Sequence, residues 1–469
     1  MLTNKINKKK FRIFRNFFLF LLYFGDYQNK MIGLIVTMGN LRDFYQLMKD
    51  NYADSNLFKD LNLIHNISND IQIGINCDFS EMLGELVGNY DSLNYPSITC
   101  GILTYNEERC IKRCLESVVN EFDEIIVLDS VSEDNTVKII KENFNDVKVY
   151  VEPWKNDFSF HRNKIINLAT CDWIYFIDAD NYYDSKNKGK AMRIAKVMDF
   201  LKIEGVVSPT VIEHDNSMSR DTRKMFRLKD NILFSGKVHE EPVYANGEIP
   251  RNIIVDINVF HDGYNPKIIN MMEKNERNIT LTKEMMKIEP NNPKWLYFYS
   301  RELYQTQRDI ALVQSVLFKA LELYENSSYT RYYVDTIALL CRVLFESKNY
   351  QKLTECLNIL ENNTLNCSDI DYYNSALLFY NLLLRIKKIS STLKENIDMY
   401  ERDYHSFINP SHDHIKILIL NMLLLLGDYQ DAFKVYKEIK SIEIKDEFLV
   451  NVNKFKDNLL SFIDSINKI

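Results

Sequence analysis

The feature that most restricts this chain is an alternation between residues 96 and 180. Short apolar runs begin near 98, 124, 147 and 172, and segments with helical spacing separate them. Ile98 to Tyr105 reads as a strand, Glu108 to Phe122 as a helix with Ile111, Leu115, Val118, Val119 and Phe122 on one face, and Glu124 to Leu128 as a second strand. Ser132 is placed to cap a helix carrying Val137, Ile139, Ile140 and Phe144, after which Val147 to Val151, Phe158 to Ala169 and Asp172 to Ile177 read as strand, helix and strand. Strands in this order need crossover helices, which implies a parallel sheet wound with right-handed connections.

The flanking text is different. Gly39 to Tyr95 is polar with helical spacing at Leu41, Tyr45, Leu47 and Met48, and Asn89 to Tyr95 reads as a linker. Beyond Pro266 strand patterns stop. Helical segments such as Pro293 to Gln305, Asp309 to Tyr324, Arg331 to Glu346 and Tyr350 to Leu360 follow in pairs with short polar turns, a degenerate tetratricopeptide-like array. Such stacks suit peptide docking or self-association; the plainer alternative is a bundle that steadies the neighbouring domain. The expected division is a leader at 1–37, a helical segment at 38–95, an α/β domain at 96–265 and an all-α domain at 266–469. The leader sets Lys8, Lys9, Lys10, Arg12 and Arg15 before the apolar run Phe17 to Phe24, too short to span a bilayer. The favoured reading starts translation at Met31 or Met38; the alternative is a membrane-surface anchor.

With 58 basic and 65 acidic side chains, the net charge of −7 offers no footprint for nucleic acid. The eight cysteines form no C-x-x-C pair, as expected of a reduced, cytoplasmic protein without structural zinc. Cys110 and Cys114 could share a helix face, as a two-ligand metal site or, more simply, as a partly buried structural pair.

Chemistry gathers where the strands end. In an open parallel sheet, ligands bind beyond the carboxyl ends of the strands. Here those ends read Thr104-Tyr105-Asn106-Glu107, Asp129-Ser130, Trp154-Lys155-Asn156-Asp157 and Asp178-Ala179-Asp180. One such aspartate is often only a helix cap, but four polar ends at regular spacing are a pattern. Asp178 and Asp180 supply hard oxygen donors suited to Mg²⁺ or Mn²⁺, ions that complete their coordination with phosphate oxygens and water. No G-x-G-x-x-G or G-K-[ST] loop occurs, which excludes a dinucleotide-binding Rossmann domain and a P-loop NTPase and leaves a nucleotide-sugar site.

The stretches I-T-C-G-I-L-T-Y-N-E-E, D-E-I-I-V-L-D-S-V-S-E-D-N-T, W-K-N-D-F-S-F-H-R-N and D-W-I-Y-F-I-D-A-D-N make residues 97–265 resemble the family 2 glycosyltransferases of GT-A fold. Asn51 to Ser55, Phe234 to Pro242, His261 to Pro266 and the helical tail extend the likeness, from Met38 onward, to the SunS-type peptide S-glycosyltransferases that modify glycocins. Val131 departs from the wider family, which usually has Gly there, and Asn181 stands where many relatives carry Glu.

The resemblance implies roles. Tyr105 lies against the nucleobase, Glu107 near the ribose, and Asp129 accepts a hydrogen bond from the base. Asp178 contacts the ribose and the metal surroundings, and Asp180 ligates Mg²⁺ or Mn²⁺. Arg162 reaches the diphosphate, or else forms a surface salt bridge. His261 is a further metal or diphosphate contact, or else a satisfied structural histidine. Glu240 and Glu241 are the candidates for the base that inversion requires, with Glu240 preferred because neighbouring strand positions point oppositely. The implied reaction moves a hexose, glucose from UDP-glucose, to a cysteine or serine of a small ribosomally made peptide. A saccharide acceptor and an inactive peptide-binding scaffold are the alternatives. A homodimer through the helical array is expected from apolar positions such as Ile415, Leu418, Ile419 and Leu423 to Leu426.

Overall fold

The computed structural model describes residues 39–74, 79–261, 271–306 and 309–467. The leader, Cys77, the stretch after His261 and the expected boundary at 265/266 lie outside them. Within the chain two compact units meet at Thr306/Gln307.

In the first unit, the helix Leu41–Asn51 is capped by Asn40, whose side chain accepts from the Asp43 N–H at 2.9 Å. It buries Leu41, Phe44 and Met48, one side of a helix at spacings of three and four. The pair β1 (Gly39–Asn40) and β2 (Gln72–Ile73) closes this segment antiparallel. The helix Phe79–Ser92 runs into the stretch expected as linker. Its Tyr90 donates to buried Asp60 at 2.5 Å, and Asp60 also accepts from Arg193 on the helix Lys190–Leu201. The amino-terminal segment is thereby packed onto the domain that follows.

That domain is built on β3 (Ile98–Thr104), β4 (Glu124–Asp129), β5 (Lys148–Val151), β6 (Trp173–Phe176), β7 (Asn181–Tyr183), β8 (Val206–Ile212), β9 (Met218–Ser219), β10 (Met225–Arg227) and β13 (Asn252–His261). The order is β5-β4-β3-β6-β10-β8-β13-β7, with β9 on β8. Strands β3, β4, β5 and β6 pair in parallel as their spacing predicts. Strand β10 then runs antiparallel between β6 and β8, β13 lies parallel to β8, and β7 pairs antiparallel with β13. Every residue of β4 is buried, the mark of a strand covered on both faces. The helices Ile111–Val118, Thr136–Asn143 and Phe158–Leu168 are the crossovers. At Gly101 an added Cβ would meet Ile165 at 2.8 Å and the Phe176 ring at 3.0 Å, so glycine lets the last of these helices lie close against β3.

A hairpin, β11 (Leu233–Ser235) with β12 (Glu241–Val243), lies off the main sheet. The helices Met271–Ile288 and Pro293–Thr306 belong to the same unit. In the second unit, consecutive helices from Ile310–Tyr324 to Tyr429–Glu438 pack on one another, and Ile444 and Phe448 of the last helix, Ile442–Ile466, touch the cluster they form. Val313, Leu317, Leu340, Leu353 and Leu357 are buried there, and Ile419, Leu423, Ala432 and Val435 form a separate cluster. Ile419 and Leu423 are therefore spent inside the unit, while Leu418 and Leu425 stay exposed. The expected architecture, an α/β sheet domain followed by an all-α region, is the one found.

Candidate active site

The loops after β3 and β4 are stitched together. Asn106, in the left-handed region at φ +55, accepts from the Glu133 N–H at 2.8 Å, and its own N–H donates to the Ser132 hydroxyl at 2.8 Å. The Glu107 N–H donates to Thr136 Oγ1 at 2.7 Å. Asp129, 1% exposed, accepts from Thr104 Oγ1 (3.0 Å), Ser132 Oγ (2.6 Å) and the Ser132 N–H (2.8 Å). Ser132 is thus committed to Asp129 rather than to capping; Asn135 occupies the cap position, without a side-chain capping bond. Val131 adopts φ +64, a conformation strained for a β-branched residue and natural for the glycine usual in the wider family. Tyr105 stands 56% exposed beyond the end of β3. Burial raises the pKa of Glu107, and a hydrogen bond from Cys110 Sγ at 2.9 Å opposes the rise.

Beyond β6 the two aspartates part. Asp178 is clasped by Arg162 Nη2 at 2.9 Å and Lys224 Nζ at 2.7 Å. Burial would raise its pKa, but these cations hold it well below the usual carboxylate range. Asp180 Oδ2 lies 3.1 Å from His261 Nε2, and its main-chain oxygen accepts from Arg113 Nη2 at 3.3 Å. The other ring nitrogen of His261, Nδ1, is 2.7 Å from Glu213 Oε2. Burial disfavours a charge on His261, yet the two carboxylates outweigh it and raise its pKa.

Arg162 comes from the helix Phe158–Leu168, which Asp157 caps by accepting from the Phe160 N–H at 2.9 Å. Its Nε donates to Glu240 Oε1 at 2.7 Å, its guanidinium lies over the Phe176 and Phe234 rings, and its buried Nη1 has no hydrogen-bond partner among the described residues. Arg162 therefore bridges Asp178 to Glu240, an internal ion-pair network rather than a surface salt bridge. The adjacent Glu241 is turned inward, where both it and Lys294 are buried with Lys294 Nζ 2.6 Å from Glu241 Oε2. Burial pushes the Lys294 ammonium down to about 7, against the pull of Glu240 and Glu289.

The helix Pro293–Thr306 underpins this turn. His239, at φ +49, stacks on Phe298 with centroids 3.9 Å apart, and Gly236, at φ +106, lets Trp295 approach to where a Cβ would sit 2.8 Å away. The Lys237 carbonyl accepts from the Phe158 N–H at 2.9 Å, joining the turn to the start of the Arg162 helix.

One connected cluster thus brings together Arg162, Asp178 and Glu240, a neighbouring one Asp180 and His261, while Asp129, Tyr105 and Glu107 line the loops beyond β3 and β4. Lys224, Glu213 and Lys294 carry no motif, and only the fold places them. Among the described residues no three side chains gather as a ready metal-ligand set. Asp180 offers the hard oxygen that Mg²⁺ or Mn²⁺ prefers and His261 a nitrogen that suits Mn²⁺ better than Mg²⁺, with phosphate oxygens and water left to supply the rest. No helix among the described residues is long and apolar enough to cross a membrane.

Residues 99–238 match the family described as Glycosyl transferase family 2. The chain is 41% identical over 431 residues to the SPbeta prophage-derived glycosyltransferase SunS of Bacillus subtilis strain 168, covering 91% of this chain and 99% of that protein. An uncharacterized glycosyltransferase of Rickettsia felis is 41% identical over 83 residues, 18% of this chain and 28% of that one. Among solved structures, S. aureus TarS aligns with a TM-score of 0.33 at 15% identity over 55% of this chain and 54% of its own. With a SunS relative matched nearly from end to end at this identity, the chain belongs to the SunS-like family 2 glycosyltransferases of GT-A fold.

Proposed function

We propose that the enzyme is an inverting transferase that moves a hexose, glucose, from a UDP-linked donor to a cysteine side chain of a small ribosomally made peptide. The observation that carries the choice of Glu240 as the base is the different pairing of the two adjacent glutamates. Glu241 is closed into a buried pair with Lys294, whereas Glu240 joins Arg162 beside Asp178. In inversion the acceptor sulfur attacks the anomeric carbon as the bond to the diphosphate oxygen breaks, and the thiol proton passes to Glu240. A thiol is already partly ionised near neutral pH, so a cysteine needs less help from that base than a serine. Arg162 has a planar fork suited to holding carboxylates in register, and it fixes Glu240 relative to Asp178.

At the loops beyond β3 and β4, Tyr105 offers a flat face to a base and Asp129 an acceptor. Mg²⁺ or Mn²⁺ held by Asp180 and His261 would neutralise charge on the leaving diphosphate. The peptide reading is supported by likeness to a SunS protein over 431 residues, beyond the 99–238 match. A transferase domain alone would suit a saccharide acceptor equally. The proposal also places a second copy of the chain on the helical unit. The helix Ile442–Ile466 buries none of its residues and exposes Leu449, Phe455, Leu459 and Phe462; light scattering of the purified protein should give twice the monomer mass.

The test is intact-mass spectrometry of candidate peptides, with Cys or Ser at the acceptor position, incubated with a panel of nucleotide sugars and Mg²⁺ or Mn²⁺. A gain of one hexose on the Cys peptide from UDP-glucose, abolished by Asp180→Ala, is the expected result. Addition to a saccharide primer and to no peptide would overturn the acceptor assignment while leaving the transferase standing.

A further inference from the structure

Strand β13 lies between β8 and β7, and its register fixes what flanks its last residue. Phe260 pairs with Ile212 on the parallel side, and His261 pairs with Asn181 on the antiparallel side. The next residue along β8 is Glu213, and the residue before Asn181 is Asp180. The register brings Glu213 level with His261 on one side, and the turn before β7 brings Asp180 to the other, from positions 48 and 81 residues away in sequence.

Glu213 is held for this task. Its N–H donates to the Ser217 carbonyl at 2.9 Å, and its carbonyl accepts from the Asn216 N–H at 2.9 Å, closing the turn between β8 and β9. Asn216 takes the left-handed conformation that the turn requires, at φ +65. The Glu213 and His261 side chains are 20% and 10% exposed, so water competes little for their 2.7 Å contact. No other hydrogen bond to the Glu213 carboxylate occurs among the described residues.

We infer that Glu213 is a positioning residue: it accepts the Nδ1–H of His261, fixing the ring so that Nε2 is directed at a divalent cation shared with Asp180. This rests on the metal reading above and adds a residue that the sequence motifs do not contain. A histidine that binds metal through one nitrogen is oriented, and made more basic, by what holds the other, and losing such a partner costs about 10–100-fold in metal affinity. Nothing in the contact requires Glu213 to touch donor or acceptor.

The experiment titrates Mn²⁺ into the full-length protein with UDP present and follows the free-ion electron paramagnetic resonance signal. Glu213→Ala should weaken Mn²⁺ binding by about 10–100-fold, measured at a temperature where the metal-free variant is still folded. Glu213→Asp keeps the charge and the turn but shortens the reach, and should fall between the two. At saturating Mn²⁺ the variants should recover turnover, so the loss appears in the metal activation constant rather than in kcat. Wild-type Mn²⁺ affinity in Glu213→Ala, or in the Asp variant should the Ala variant melt early, overturns the inference. If the wild-type protein binds no Mn²⁺ with or without UDP, the metal reading falls and this inference with it; transfer that persists without metal would then leave the transferase standing.

Discussion

Strand β4 begins and ends with a buried carboxylate, and the two ends make the same bond and differ in everything else. At its start, Glu124 accepts from Thr99 on β3; at its end, Asp129 accepts from Thr104 on β3, five residues on in both strands. Glu124 also takes hydrogen bonds from Lys148 Nζ at 2.6 Å and from the N–H and hydroxyl of Thr170, both at 2.9 Å. Two bonds then fall on each oxygen, about what a carboxylate can accept. Among the described residues Asp129 takes two on Oδ1 and one on Oδ2, one fewer than a carboxylate can accept. The amino end of the sheet uses its charge to hold strands together, and the carboxyl end keeps capacity in reserve. This is the chemical content of the rule that ligands of open α/β sheets sit at strand carboxyl ends.

The largest expected effect falls on the open end. Glu240→Gln should lower the transfer rate of the folded fraction by about 10²–10⁴-fold, the range for a general base, beyond whatever stability is lost with its Arg162 pair. Glu241→Gln breaks a buried ion pair at a cost of about 3–5 kcal/mol but should leave the rate of the folded fraction nearly unchanged. Equal rate losses at matched stability would abolish the distinction between the two glutamates. The readouts are kcat by UDP release and thermal melting.

Next comes the closed end. Burial would raise the pKa of Glu124, but the hydrogen bonds from Lys148, Thr99 and Thr170 lower it to about 2. Its folded pKa is below its unfolded one, so its stabilisation is present above pH 4.5 and disappears as pH falls from there toward 2. That depression corresponds to at most about 3 kcal/mol, less for the water that screens half-exposed Lys148. In urea titrations from pH 7 to pH 2.5, Glu124→Gln should be less stable at pH 7 and flatter with pH than wild type, while transfer by the folded fraction is unchanged. A parallel pH slope in the two proteins would mean that Glu124 is not the linked group.

Asp129→Asn sharpens the comparison at the other end of the strand. Losing a hydrogen bond to a charged acceptor costs about 1.5–3 kcal/mol. The donor KM should therefore rise by about 10–100-fold if the spare acceptor meets the nucleobase, with the peptide KM unmoved. A rise in the peptide KM alone would assign Asp129 to the other substrate.

The smallest effect concerns Val131. Left-handed backbone costs an ordinary residue about 1–2 kcal/mol, and glycine gives back about half of that in unfolded-state entropy. Val131→Gly should gain about 0.5–1 kcal/mol by chemical denaturation without altering donor binding. Destabilisation would show that the valine side chain contributes packing that outweighs the strain.

What the sequence by itself determined was local. Strands β3 to β6 and the helices between them follow from apolar period and composition, and they appear within a few residues of where the pattern puts them. The placement of Asp129, Asp178 and Asp180 at strand carboxyl ends was legible for the same reason: the end of an apolar run is visible in one dimension. The boundaries were less so, as with Ser132, whose hydroxyl served Asp129 rather than a helix. Tertiary structure decided which charges meet. Asp178 finds Lys224, and His261 finds Asp180 and Glu213, only because β10 and β13 insert between strands distant in sequence. For adjacent Glu240 and Glu241, alternation along a strand said only that one of them faces the site, with Glu240 preferred; the partners that distinguish them come from the fold, since the helix Pro293–Thr306 brings Lys294 within 2.6 Å of Glu241. Pairing across tens of residues depends on strand order and register, which are set by the burial of the whole sheet rather than by any motif, and so the partners of a charge are not written beside it.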